Sequence, residues 1–197
     1  MRALRHLPNL ISALRIALVA PIAWSLWHLQ LRSALALVAL AGASDLCDGF
    51  LAKRFGWQSK LGALLDPAAD KLLLVTLFVL LALMGALPGW LAATVIGREA
   101  VLVAGAAAYR LLLGPVEIRP SIVSKLNTAL EVLYILLVIA HLAYGSPGGS
   151  VLVTAGALTF VTVVVSGLDY VLRYARLALQ ASGEAARGAG ALGQKRP

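Results

Sequence analysis

The fold of this chain is decided by the stretch from residue 45 to residue 70, DLCDGFLAKRFGWQSKLGALLDPAAD. It holds four aspartates, Asp45, Asp48, Asp66 and Asp70, among apolar runs of membrane-spanning length. Carboxylates at bilayer depth are costly and mark functional sites. The first pair has i,i+3 spacing and the second i,i+4, so each pair shares one face of a helix. An antiparallel hairpin would place Asp48 opposite Asp66 and Asp45 opposite Asp70, and all four carboxylates would converge.

The composition indicates one polytopic membrane domain. Hydrophobic residues make up 60% of the chain and charged residues 13%, and the mean hydropathy is +0.88, unlike a soluble domain. The formal charge of +8 does not indicate nucleic acid binding, because the basic residues lie at the ends of apolar runs and form no single patch. Cys47 is the single cysteine, so no internal disulfide is expected.

Six apolar runs predict an all-α protein with six transmembrane helices. The runs are Pro8–Leu29, Leu31–Cys47, Leu61–Met84, Leu87–Leu113, Ile122–Ala143 and Val151–Leu172. With both termini in the cytoplasm, only Arg32 among the loop cations falls outside, which agrees with the positive-inside rule. A cleaved signal peptide is the alternative for the first run, but Arg15 interrupts it. Residues 1–176 form the predicted membrane domain, and residues 177–197 a disordered basic cytoplasmic tail.

The side of the membrane opposite the aspartates is marked by turns and tryptophans. Two short stretches without basic residues, Gly85–Pro88 and Gly145–Gly149, predict outer loops. Trp24, Trp27 and Trp90 lie near the helix ends on that side, where aromatic side chains anchor helices at the membrane interface.

The four carboxylates predict a site for hard metal ions, at the cytoplasmic side and between helices 1–3. Without cations the four carboxylates would repel each other. The stretch contains no histidine and no second cysteine that could add nitrogen or sulfur ligands, so the ligand set is all oxygen. Such a set favours Mg²⁺, Mn²⁺ or Ca²⁺ over zinc. Gly49, Ala52 and Gly62 share the carboxylate faces and would leave room for a bound group, although close helix packing explains small residues as well. Lys53 is the nearby cation best placed to hold phosphate oxygens.

The same stretch resembles the signature of the CDP-alcohol phosphotransferase family, D-x2-D-G-x2-A-R-x8-G-x3-D-x3-D. Every spacing matches, and one residue differs, since Lys53 stands where the family has arginine. Lysine keeps the charge but loses the bidentate contact. The opening HLPNLISALR, residues 6–15, is similar to that of phosphatidylglycerophosphate synthases and CMP-forming cardiolipin synthases. The run SKLNT, residues 124–128, is closer to the cardiolipin synthase type.

The resemblance implies phospholipid biosynthesis, with transfer of a phosphatidyl group from CDP-diacylglycerol to a glycerol-based acceptor and release of CMP. The acceptor would be phosphatidylglycerol or glycerol 3-phosphate. Two divalent cations, Mg²⁺ or Mn²⁺, would be held by the four aspartates, with Asp70 also acting as the general base. The residues expected at the CDP moiety are Gly49, Ala52, Lys53, Gly62 and Asn9.

A phosphate-bearing acceptor needs further cations, and Arg98 in the fourth helix and Lys125 at the start of the fifth are the candidates. Arg98 could instead be a structural ion paired with Glu99, and snorkelling to the interface would explain Lys125. Lys71, next to Asp70, is interpreted as a local counter-charge. Arg15 in the first helix has the same two interpretations as Lys125. Glu131 and Asp169, within the apolar runs, carry no signature and are interpreted as packing or partner contacts.

Other interpretations stay open at this point. Inositol phosphate and serine are alternative acceptors within the family. An ion or proton transporter is the alternative from another class, and it predicts carboxylates spread across the membrane depth. The predicted partners are CDP-diacylglycerol, the acceptor and the lipid bilayer, with a homodimer as a further option and no nucleic acid. The predicted location is the inner membrane of a bacterium.

Overall fold

Six α-helices make up the part of the chain that the structure, a computed structural model, describes. It describes residues 7–55, 62–112 and 121–193, with side chains over 13–44, 69–108, 110–111 and 121–176. These ranges contain no strand, which confirms the predicted all-α class there. The helices are α1 (Leu7–Trp27), α2 (Leu31–Phe55), α3 (Gly62–Leu83), α4 (Gly89–Leu112), α5 (Ile122–Tyr144) and α6 (Gly149–Gly193).

Two helices run further than their apolar runs. Helix α2 continues past Cys47 to Phe55, because Ala52, Lys53 and Arg54 are good helix formers even though the hydrophobic run has ended. Helix α6 continues to Gly193, so the backbone of residues 177–193 is helical where the composition predicts disorder. Frequent alanines favour helix there without requiring apolar burial. The division of the chain into a membrane domain and a tail stays a prediction.

Three described helices are long and apolar enough to cross a membrane, by length and composition: Gly89–Ala108, Ile122–Tyr144 and Gly149–Arg176. Shorter apolar stretches, Ala13–Trp27 and Leu31–Ser44, lie in α1 and α2. This architecture is consistent with a membrane protein. The count of six spans stays a prediction.

Contacts between side chains give the helix directions. Helices α4 and α6 run parallel, because the Trp90 ring meets the Phe160 ring edge-on and, further along both helices, Tyr170 Oη donates to the Leu102 carbonyl at 2.7 Å. Arg32, at the start of α2, lies over the ring of Tyr144 at the end of α5. The short turns at residues 28–30, 84–88 and 145–148 therefore lie at one end of the bundle, which we call the turn end.

Helix α1 packs against both α2 and α3, and α4 packs against α3 and α6. Helix α5 contacts α2, α3 and α6. Within the described ranges, α2 and α3 do not contact each other directly. The turn of the hairpin predicted for them and the side chains of Asp45, Asp48 and Asp66 lie outside the described residues, so the convergence of the four aspartates stays a prediction.

The predicted outer loops are turns in the structure. Gly85 and Gly145 have φ of +68° and +71°, in the left-handed region that glycine tolerates. Gly145 also caps α5, because its N–H donates to the His141 carbonyl at 2.7 Å. Near these turns Trp24 and Trp90 are exposed, as interfacial anchors would be.

The apolar core occupies the half of the bundle next to the turn end. Its buried side chains come from all six helices and include Leu26, Val38, Phe78, Leu91, Ile139 and Val163. The ion-paired side chains lie farther from the turn end, near the middle of α1, α3 and α4, level with the first turn of α5 and with Ser166 in α6. The fold thus places these charged side chains at one level, away from the turn end.

Close packing of α5 on α6 depends on Gly156. A Cβ atom there would lie 3.3 Å from Tyr134 ring atoms, and Tyr134 is itself buried. We expect Gly156→Val to lower the midpoint of thermal unfolding in detergent by roughly 3–10 °C, because overpacking costs about 1–3 kcal/mol. Gly97→Val is the control, since a Cβ at Gly97 meets nothing within 4 Å. Equal melting of both variants would contradict the packing described here.

Candidate active site

Five charged side chains form ion pairs where α1, α3 and α4 meet, and we call Arg15, Asp70, Lys71, Arg98 and Glu99 the ion-pair layer. Arg15 Nη1 in α1 donates to Asp70 Oδ1 in α3 at 2.5 Å. Lys71 Nζ lies 3.0 Å from Glu99 Oε2 in α4, and Glu99 Oε1 accepts from Arg98 Nη1. Because Asp70 and Lys71 are consecutive, one residue ties α3 to α1 and the next ties it to α4.

Burial differs sharply across the ion-pair layer. The side chains of Arg15 and Arg98 are only 3% and 5% exposed, whereas those of Asp70 and Lys71 are each 37% exposed. A buried guanidinium needs a paired carboxylate, and each arginine has one. The layer is therefore buried at its arginines and more exposed at Asp70 and Lys71.

Two serines from other helices hold Arg98. Its Nη2 donates to Ser124 Oγ in α5 at 2.9 Å and to Ser166 Oγ in α6 at 2.7 Å. Ser124 lies in the first turn of α5, where its N–H donates to the capping Ser121 Oγ at 3.1 Å. Arg98 thereby joins α4, α5 and α6 at one level of the bundle.

The structure places the two predicted acceptor cations at the same end of the bundle but in different surroundings. Arg98 is buried and paired with Glu99, as the alternative of a structural ion predicts. Lys125 follows Ser124 at the start of α5 and its side chain is exposed. Lys71, interpreted from the sequence as a local counter-charge, pairs with Glu99 on another helix. Acceptor binding by Arg98 and Lys125 stays a prediction.

The predicted metal ligands lie on the expected helices. The backbones of Asp45 and Asp48 belong to α2, and those of Asp66 and Asp70 to α3. Of these four, only the Asp70 side chain is among those described; it is 37% exposed, and its carboxylate is an oxygen donor of the kind that hard divalent cations prefer. No cluster of three or more histidine, cysteine or acidic side chains is found among the described ones, and the other three aspartates fall outside them.

The predicted CDP-binding residues lie along the same helices. Asn9 is in α1, Gly49, Ala52 and Lys53 are in α2, and Gly62 begins α3. Their side-chain surroundings lie outside the described residues, so their roles stay predictions.

A second polar pair lies deeper in the bundle, on α5. Asn127 Nδ2 donates to Glu131 Oε1 at 2.7 Å, and both residues are fully buried. Glu131 is seven residues beyond Ser124, or about 10 Å along the helix. This agrees with its interpretation as a packing residue. Asp169, the other acid without a signature, accepts from Arg173 Nε at 2.9 Å on α6.

Sequence reasoning did not predict the contacts of three contributors to this site. A buried arginine such as Arg15 signals a carboxylate, but the sequence does not say which one. Glu99 was named as a possible ion partner of Arg98, but its contact with Lys71 was not predicted. Ser166, within an apolar run of α6, carries no signal in the sequence beyond its hydroxyl.

The chain matches the family described as CDP-alcohol phosphatidyltransferase over residues 5–181. It is 30% identical over 190 residues to human "Cardiolipin synthase (CMP-forming)", covering 88% of this chain and 63% of that protein. It is 39% identical over 102 residues to the protein of that name from Streptomyces coelicolor, covering 49% of this chain and 47% of that one.

A relative with another activity in its name is the rice "CDP-diacylglycerol–glycerol-3-phosphate 3-phosphatidyltransferase 1, chloroplastic", 28% identical over 193 residues. The alignment covers 87% of this chain and 58% of the rice protein. The chain thus spans less than two thirds of the length of these relatives. The match over residues 5–181 nevertheless covers most of the chain and confirms the resemblance of the aspartate signature. The chain belongs to the CDP-alcohol phosphatidyltransferase family.

Proposed function

We propose that this protein transfers the phosphatidyl group of CDP-diacylglycerol to a hydroxyl of a glycerol-based acceptor and releases CMP. The observation that carries the proposal is an accessible Asp70 carboxylate, held by the buried Arg15, at the end of a signature that the family match covers. Burying a charge pair in an apolar bundle costs free energy, so such a pair is expected to have a function.

The chain's own residues support each part of this transfer. Asp70 would accept the proton of the acceptor hydroxyl, whose oxygen forms the new bond to the phosphatidyl phosphorus while the bond from phosphorus to the CMP oxygen breaks. Arg15, hydrogen-bonded to Asp70 Oδ1, keeps that carboxylate in place. The apolar half of the bundle keeps water from the turn end away from the reacting groups.

The family implies a divalent metal, and the donor set fits one because it consists of oxygen ligands alone. Asp45, Asp48, Asp66 and Asp70 would hold two such ions, Mg²⁺ or Mn²⁺. When bound, the ions would neutralise phosphate charge and stabilise the leaving CMP. Gly49, Ala52, Gly62, Lys53 and Asn9 would surround the CDP moiety.

The acceptor would approach from the side of Arg98 and Lys125. These two residues would supply the positive charge that a phosphate-bearing acceptor needs apart from the metal ions. Phosphatidylglycerol and glycerol 3-phosphate both carry a phosphate and free hydroxyls. The names of the human and Streptomyces relatives favour phosphatidylglycerol, and that of the rice relative favours glycerol 3-phosphate.

Ion or proton transport is less well supported. It predicts carboxylates distributed through the membrane depth, whereas Asp70 and Glu99 lie in one layer, and the deeper Glu131 is hydrogen-bonded to Asn127. We place the protein in a membrane with six spans and the carboxylates on the cytoplasmic side, as the positive-inside rule favours. The inner membrane of a bacterium and a homodimer remain part of the proposal.

The purified protein in detergent should release CMP from CDP-diacylglycerol in the presence of Mg²⁺ when an acceptor is added. Phosphatidylglycerol, glycerol 3-phosphate, inositol phosphate and serine are supplied separately, and CMP and the lipid product are quantified. Release with either glycerol-based acceptor is expected. Folded protein that releases CMP with none of them, in Mg²⁺ or in Mn²⁺, would contradict the proposed reaction.

Asp70→Asn should lower CMP release about 100-fold or more, since general base catalysis contributes about 10²–10⁴-fold. The control is Arg32→Gln, which removes a charged side chain over the Tyr144 ring at the turn end, away from the ion-pair layer. We expect the control to retain the wild-type rate. Equal rates for both variants would rule out Asp70 as the base.

Ser166→Ala should raise the KM for the acceptor roughly tenfold, because a hydrogen bond to a charged group contributes about 1.5–3 kcal/mol and Arg98 loses one of its two serines. The control on the same helix is Thr162→Val, whose hydroxyl donates to carbonyls of its own helix. Steady-state kinetics with varied acceptor measures both. An unchanged acceptor KM in the Ser166 variant would contradict a role of Arg98 in acceptor binding.

A further inference from the structure

Glu99 is shared between two cations on different sides. Its Oε1 accepts from Arg98 Nη1 on the same helix, and its Oε2 lies 3.0 Å from Lys71 Nζ on α3. The carboxylate is buried, and both of its oxygens therefore face a positive charge. Such an arrangement links the position of Arg98 to the position of Lys71.

The pairing of Arg98 with Glu99 is unusual for helix geometry. Successive residues on an α-helix point about 100° apart, so neighbours do not share a face. Arg98 is held on the far side by Ser124 and Ser166, and Glu99 is held by Lys71. Both side chains are drawn together between these partners, which fixes the guanidinium in one orientation.

The link to α3 bears on Asp70. Lys71 follows Asp70 directly, so the ion pair with Glu99 holds α3 from a second side, about 100° around the helix from the Arg15 contact. Ties on two sides resist rotation of α3 about its own axis. Loss of the Lys71–Glu99 ion pair would let Asp70 move relative to α4. Displacement of a reacting group by about 1 Å can lower the rate about 100-fold.

We propose that Glu99 is a positioning residue for the transfer, which sets the orientation of α3 through Lys71 and that of the acceptor cation Arg98 directly. The inference rests on the proposed function. It assigns no contact between Glu99 and substrate, and it predicts that the two roles can be separated by variants of its two partners.

The test is a double-mutant cycle of Lys71→Met, Glu99→Gln and the combined variant, measured as kcat and KM for the acceptor. Lys71→Met should lower kcat about tenfold and leave the acceptor KM within about twofold, because only the tie to α3 is lost. Glu99→Gln should lower kcat similarly and raise the acceptor KM about fivefold or more, since Arg98 also loses its counter-ion. The combined variant should resemble Glu99→Gln, because coupled residues are not additive.

Three results would overturn the inference: kcat losses that multiply in the combined variant, wild-type kinetics in Lys71→Met, or an unchanged acceptor KM in Glu99→Gln. Arg173→Met is the control, since it breaks another ion pair, with Asp169, outside the layer. Its kcat and KM should match the wild type, and a comparable loss there would also overturn the specific role of Glu99.

Glu99→Gln leaves a buried guanidinium without its carboxylate, and that variant can fail to fold. In that case Lys71→Met, whose side chain is more exposed, carries the test together with Glu99→Asp, which keeps the charge. Glu99→Asp should retain more kcat than Lys71→Met, and the reverse order would contradict the inference. Wild-type protein without CMP release contradicts the proposed function itself, whereas wild-type release with unaffected variants contradicts only the role of Glu99.

Discussion

Two arginines buried in an apolar helical bundle set the main constraint on this structure. A guanidinium removed from water is tolerated only with a carboxylate beside it, and breaking such a pair costs about 3–5 kcal/mol. Arg15 meets this requirement through Asp70, and Arg98 through Glu99. The Arg15–Asp70 pair joins α1 to α3, and Glu99, which neutralises Arg98 within α4, joins α4 to α3 through Lys71. The two serines that hold Arg98 extend the same constraint to α5 and α6.

The residues that form the apolar core and the residues of the candidate active site lie in different halves of the bundle. The half next to the turn end is filled by apolar side chains such as Phe78, Leu91 and Ile139. The other half carries the ion-pair layer and the backbones of the four aspartates of the family signature. An anionic lipid substrate and its metal ions would meet a rigid frame there, because the positions of the charged groups are fixed by packing in the apolar half.

The sequence was sufficient to predict the positions of the helices and turns, but not which side chains on different helices contact each other. Apolar runs located the helices, and glycines such as Gly145 located the turns, because both signals are local. The hydropathy pattern missed the continuation of α2 to Phe55, where polar helix formers replace apolar ones. The sequence also did not identify Asp70 as the partner of Arg15, because which helices become neighbours depends on the packing of the whole bundle. The hairpin predicted for α2 and α3 stays a prediction, because its turn and three of its four aspartate side chains lie outside the described residues.

The most direct measurement for this account is an experimental structure of the protein with Mn²⁺ and CDP-diacylglycerol, in which anomalous scattering locates the metal. We expect Mn²⁺ at coordination distance from the Asp70 carboxylate, next to the pyrophosphate of the nucleotide lipid. Arg98 should remain bound to Glu99, Ser124 and Ser166. Metal and nucleotide lipid bound elsewhere, with Asp70 in contact with neither, would contradict the placement of the reaction at the ion-pair layer.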